Sequence, residues 1–336
     1  MFRRTLFVAS VLFQLNAGQV AAVTIAAAGD TLSTDHAGEL RLLDATAPYF
    51  RQADLGFVNL EGVLMDPPGT ARACGRSCYR FRMPETMAGY MRAAGITVVS
   101  SANNHSADFG AQGQRSTVQA LIKQGLASVG LAISPYAVAK TSTGTNVAVI
   151  GYSPHQGTLS MFDIPAMQRQ VRALKQQGAI VVVSLHAGAE GNSAWYVPRG
   201  EERFLGDRRG DVYAFAHSAV DAGADLVLGH GPHVLRAMEM YKNRLIAYSL
   251  GNFATNGPVS LSGLNQYGGI LQVALNDVTG AFEGARFIGT SQTKSRKDIG
   301  PQLDARATQL LADITARTFS DPGLSISTDG TIRATR

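Results

Sequence analysis

The chain has little cysteine, no basic run and no apolar run long enough to span a bilayer. Two cysteines in 336 residues, with no histidine near them, are too few for a thiolate zinc site. They stand close together, Cys74 and Cys78 in ACGRSCYRF. In an oxidising compartment a small-loop disulfide is the leading reading, ahead of a redox pair, which the CxxxC spacing disfavours. A net charge of +5 is dispersed, without the clustered Lys/Arg and interleaved aromatics of a nucleic-acid binder. No nucleic acid is expected as partner. Repeats, low-complexity linkers and coiled-coil heptads are absent too.

The N-terminus is different in character. MFRRTLFVASVLFQLNAGQVAA has a basic start at Arg3 and Arg4, an apolar stretch from Leu6 to Leu15, and small residues at Val20, Ala21 and Ala22. That pattern is a signal peptide over residues 1–22, and it implies an exported chain (periplasmic or extracellular) that is soluble after cleavage. An uncleaved N-terminal membrane anchor is the alternative, though the apolar stretch is short for a span. No cysteine is available there for a lipid anchor.

Beyond the leader, short apolar strands alternate with amphipathic helices, and hairpins follow. Strands are expected at Val23–Ala28, Leu55–Val58, Ile96–Ser100, Tyr136–Ala139, Val147–Tyr152, Ile180–Leu185 and from Leu226. Helices are expected at Glu39–Ala53, Pro84–Ala94, Gln112–Gln124, Ile164–Gln177 and Asp211–Ala222. Met65–Met83, rich in Pro, Gly and Arg, reads as a long functional excursion. The pattern describes one α/β domain over 23–300 with a mixed central sheet covered by helices. A C-terminal helix, Gln302–Arg317, and a tail complete residues 301–336.

Ligand-type side chains collect where these strands end. TIAAAGD ends in Asp30, LGFVNLEG carries Asn59 and Glu61, and ITVVSSANNH ends in Asn103, Asn104 and His105. VVVSLHAGAE carries His186 and Glu190, and ADLVLGHGPH ends in His230 and His233. Carboxyl ends of strands converge on a crevice in open α/β sheets. Carboxylate, amide and imidazole donors together suit Mn, Fe or Zn. Asp30, Glu61, Asn104, His186, His230 and His233 are more ligands than one tetrahedral ion needs, so a pair of divalent ions is expected, with Glu61 between them. Such a pair activates water and holds attacking and leaving oxygens. His105 is left over as a general acid. Glu190 either orients an imidazole or is a solvated loop residue, and Ser249 and Asn252 in YSLGNF could line the pocket. Trp195 and Tyr196 form a rim or cover the core. His155 and His217 are more often hydrogen-bonding residues than ligands.

Taken together, GDTL, NLEG, ANNHSADFG, LHAGAE, GHGPHV and YSLGNF resemble the CapA family, the poly-γ-glutamate capsule synthesis proteins of the calcineurin-like metallophosphatase superfamily. The resemblance runs from about Val23 to Thr290. It implies an α/β/β/α layered sandwich with mixed central sheets and a dinuclear site. Asp30 and His233 would hold the first metal, Glu61 would bridge, His186 and His230 would hold the second, Asn104 would bind metal as well, and His105 would serve the leaving group. Three departures stand out. Leu32 replaces the usual histidine two residues after the first aspartate, with Asp35 or His36 as possible substitutes. Glu61 is a methylene longer than the usual aspartate, and the final histidines are one residue further apart. The implied function is metal-dependent phosphoester-type hydrolysis in poly-γ-glutamate capsule or cell-envelope polymer metabolism, on an envelope polymer or a phosphorylated small molecule. The alternative is a non-catalytic accessory component of capsule synthesis and export machinery.

Overall fold

The computed structural model describes residues 22–33, 42–67, 69–73, 79–293 and 300–335. The leader up to residue 21, Asp35, His36 and the Cys74–Cys78 segment lie outside them. Among the described residues the strands gather into two large sheets. The first runs Leu324–Ile326, Thr331–Ala334, Phe282–Ser291, Tyr267–Asn276, Ala22–Ser33, Leu55–Leu60, Val98–Ser100, Ala127–Val129. Its last four strands are parallel and the others antiparallel. The second has a parallel core, Asn146–Tyr152, Ile180–His186, Leu226–His230 and Arg244–Leu250. Antiparallel edge strands, Tyr136–Lys140 and Leu235–Tyr241, close it on either side.

Alternation along the first strand shows how the layers form. Val23, Ile25 and Ala27 enter the core shared with Val147, Val149, Val181 and Val183 of the second sheet. Ala26 and Ala28 face the opposite way, against Phe50, Met87, Met91 and Leu121 of the outer helices. A strand buried on both faces must be apolar at every position, which is why TIAAA has no polar alternation. Helices Ile164–Gln176 and Val212–Ala222 cover the second sheet, and Ala47–Arg51, Thr86–Ala94 and Gly110–Lys123 cover the first. Asp163 and Asp211 cap their helices through the amides of Ala166 and Ala214, satisfying donors that have no partner in the first turn. The result is the α/β/β/α layered sandwich that the motif resemblance implies.

The sequence pattern alone implied one central sheet, and the chain builds two. Strand pattern fixes which residues are extended but not which strands pair, because both sheets are equally apolar. Within the described part of the helix expected at Glu39–Ala53, residues 42–53, the helix is confined to Ala47–Arg51, with Pro48 in its first turn. The C-terminal helix, Ala305–Thr318, packs Ala307, Leu311 and Ile314 into the inter-sheet core, and the tail forms a hairpin on the first sheet. No described helix is long and apolar enough to cross a membrane.

Candidate metal centre

Both sheets end at one place. Asp30, Asn59, Glu61 and the Asn103–His105 turn come from the first, and His186, His230 and His233 from the second. An irregularity at Gly29 aims Asp30 inward: the register with Leu55–Leu60 steps from Ala28↔Val58 to Asp30↔Asn59. A Cβ at Gly29 would lie 1.9 Å from the Gly251 carbonyl oxygen, so only glycine allows the crossing. Leu32, after a second shift in register, is 1% exposed and packed among Phe50, Val58 and Phe253 in the outer core.

Glu61 Oε1 is the hub. It stands 3.5 Å from His233 Nε2, 3.9 Å from His105 Nε2 and 4.0 Å from His186 Nε2, and no hydrogen bond satisfies it. Asp30, Glu61 and His233 offer donor atoms within 4.8 Å of one another. His230 is paired across the ladder with His186, and both its ring nitrogens are buried without partners, as are His186 Nε2 and Asn104 Oδ1. A buried polar atom without a partner costs about 1–3 kcal/mol. Five such atoms in one place, three of them imidazole nitrogens and two carboxylate or amide oxygens, fit a site for divalent cations.

Around this centre, hydrogen bonds fix the ligands. Asn59 donates to Asp30 Oδ1 (2.7 Å) and its Nδ2 lies 3.1 Å from His186 Nδ1. Asn103 donates to the Leu60 carbonyl (2.7 Å) and accepts from the His105 amide (3.1 Å). The Gly231 amide donates to Asp30 Oδ2 (3.2 Å). His233 Nδ1 donates to Asn252 Oδ1 (3.0 Å), which turns Nε2 toward Glu61. Ser249 accepts from the Gly251 amide (3.2 Å) and so belongs to the turn. The additional residue between the two histidines is absorbed by left-handed backbone, Gly231 at φ +107° and His233 at +59°, the latter uncommon outside glycine.

Electrostatics divide the ligands. Burial works to raise Asp30, but contact with His233 and the charges of His233, His186 and His230 hold it well below the carboxylate range. Glu61 is pushed up to about 8, by burial above all, with Asp30 and Glu190 adding repulsion against the pull of His233 and Arg209. Burial holds His230 down at about 4 and His186 well below its ordinary value, so both are neutral bases at pH 7. Burial would lower His233 as well, but Glu61, Asp30 and Glu190 raise it well above an ordinary imidazole.

A family model described as bacterial capsule synthesis protein PGA_cap matches residues 24–257. The chain belongs to that family. Among curated relatives, the capsule biosynthesis protein CapA of Bacillus anthracis is 30% identical over 62% of this chain and 52% of its own length. The PGA biosynthesis protein CapA of Bacillus subtilis (strain 168) is 32% identical over 47% of this chain and 42% of its own. The chain thus spans about half the length of these relatives. A crystal structure described as a novel phosphatase from Mycoplasma pneumoniae shares the fold, with a TM-score of 0.54, 12% identity, and coverage of 83% of this chain and 96% of that one.

In this PGA_cap chain the family motifs account for the floor of the site, and three neighbours fall outside the expected set. Asp108, three residues after His105, accepts from His105 Nδ1 at 2.7 Å; its place in ANNHSADFG was the available signal. His155 brings its ring to 6.5 Å from that of His186 and is held down to about 3 by burial, then by Arg209, His105 and Arg72. It follows an apolar strand, as the ligands do. Arg209 carried no signal in the sequence. His217 lies elsewhere, paired with Glu239.

Proposed function

We propose that the chain is an exported metal-dependent hydrolase of the phosphoester type, acting in poly-γ-glutamate capsule or related envelope-polymer metabolism. The observation that carries the hydrolytic reading is Glu61 Oε1, unpartnered and within 4.0 Å of three imidazole nitrogens drawn from both sheets. Asp30, Glu61 and His233 would hold one ion, and Glu61, Asn104, His186 and His230 a second. Divalent ions such as Mn, Fe or Zn there supply Lewis-acid polarisation of water and of a phosphoryl oxygen. The chain's own residues do the rest. Asn59, Asn252 and the Gly231 amide orient the ligands. Asp108 holds His105 with Nε2 directed at the centre, placed to hand a proton to the leaving oxygen. The floor is sealed from water, while Glu190, His155, Asn104 and His233 keep partial exposure at the mouth.

Export is supported by the leader-like N-terminus, and the polymer role by the names of the CapA relatives. The test compares the mature protein with a His186→Ala/His230→Ala double variant on a generic phosphodiester with added manganese. Turnover should vanish in the variant, and equal turnover sinks the reading. One observation favours a second reading, an accessory binding component of the capsule machinery: Leu32 stands where the superfamily carries a ligand, and it is locked in the core. Near-zero metal after refolding with Mn or Zn would favour that role.

A further inference from the structure

Beside the proposed centre lies a buried cation to which the ligand chemistry assigns no task. Arg209 ends the hairpin formed by Glu202–Phe204 and Asp207–Gly210 and is 5% exposed. Its carbonyl is tied to the Gly188 amide at 2.9 Å, which binds the hairpin to the loop after His186. Nη1 donates to Glu190 Oε1 at 2.6 Å, while Nε is buried and has no hydrogen-bond partner. Glu190 Oε2 in turn lies 3.9 Å from His233 Nε2, so a single carboxylate separates this guanidinium from the proposed centre. His155 Nε2 is buried without a partner as well.

A guanidinium kept from water by the fold, with one nitrogen given to a carboxylate and another given to nothing, is a half-filled fork. Planar forks of this kind match two oxygens of one anion. The anion has to share the pocket with the Glu61 centre, which selects a group able to meet cations on two sides. A phosphoryl group has three non-ester oxygens for that purpose, and a carboxylate has two.

We propose that Arg209 is a substrate-binding residue whose Nε edge docks a non-bridging phosphoryl oxygen of the substrate. This rests on the phosphoester reading above, and the test separates the two. Inorganic phosphate is titrated calorimetrically into the manganese-loaded full chain, its Arg209→Gln and Arg209→Lys variants, and Glu190→Gln. Arg209→Gln should weaken phosphate at least about tenfold, as loss of a charged hydrogen bond does, and should raise KM more than it lowers kcat. Arg209→Lys should recover part of the loss. Glu190→Gln removes the carboxylate that competes for the guanidinium and should tighten phosphate. It also keeps the inference falsifiable if Arg209→Gln fails to fold.

Unchanged phosphate affinity in Arg209→Gln, at native metal content, overturns the assignment. So does weaker or equal binding in Glu190→Gln, and so does glutarate competing as well as phosphate. Arg209-dependent phosphate binding in a wild-type chain that hydrolyses no phosphoester keeps the subsite and sinks the hydrolase. Hydrolysis indifferent to Arg209→Gln does the reverse.

Discussion

Asp108 Oδ2 lies 2.7 Å from His105 Nδ1, and the same fully buried carboxylate accepts from the Phe81 amide and from Arg72 Nε, each at 2.7 Å. Arg72 and Phe81, described residues of the segment between Met65 and Met83, therefore pack onto the His105 dyad, with the Phe81 ring 4.1 Å from the imidazole. His105→Ala should lower kcat by about 10²- to 10⁴-fold, the usual worth of a positioned acid. Asp108→Asn should cost about 10- to 100-fold through misorientation. Metal content should hold in both; metal loss in Asp108→Asn would mean that the carboxylate supports the ligands instead.

Metal uptake should release protons. Ligands bind as carboxylate and neutral imidazole, yet without metal Glu61 holds its proton up to about pH 8 and His233 is raised. His186 and His230, both depressed, are already neutral at pH 7. Affinity for manganese or zinc should therefore climb from pH 6 through about pH 8, where Glu61 gives up its proton. Calorimetry in two buffers of different ionisation enthalpy reads the released protons directly. A flat profile across that range would contradict the raised pair.

Glu61→Gln should separate function from stability. The folded pKa of Glu61, about 8, lies above the unfolded value of 4.5. The native state thus binds the proton more tightly, and its advantage is lost as pH rises toward 8. A neutral amide escapes that loss. In metal-free protein at pH 8.5 the variant should be more stable by on the order of 1–3 kcal/mol, while its metal-induced rise in Tm disappears. Thermal denaturation with and without manganese shows both effects.

The loop carrying Glu190 is held from beneath. Arg236, the largest fully buried side chain, donates to Glu202 Oε1 at 2.9 Å and Oε2 at 2.7 Å, and to the Ala194 carbonyl at 2.6 Å. Glu202→Ala leaves that cation buried and unpaired and should cost about 3–5 kcal/mol. Replacing both partners with methionine should cost much less. Urea denaturation of the two variants decides it, and equal losses would argue against a desolvated pair.

The candidate ligands could be named because each ends an apolar run, and the structure brings them together at one end of both sheets. Asn59 and Asn252 could be named from the same strand ends, but not their targets, Asp30 and His233, which lie 29 and 19 residues away in sequence. The pairing into two sheets was not legible, since apolar strands carry no label for their neighbours. Arg209 was invisible for a related reason. Its hairpin reads as a polar loop, and only tertiary contact buries the guanidinium.

The crossing at the seam is backbone against backbone. A Cβ at Gly29 of the first sheet would meet the carbonyl oxygen of Gly251, just past the second-sheet strand Arg244–Leu250, at 1.9 Å. The spacing of the two halves is thus set where no side chain intervenes, while the candidate ligands hang from that frame like exchangeable fittings. Chains built on this plan can swap histidine for leucine or aspartate for glutamate without redrawing the frame. Loss or gain of a catalytic repertoire then becomes a matter of one codon rather than of a new architecture.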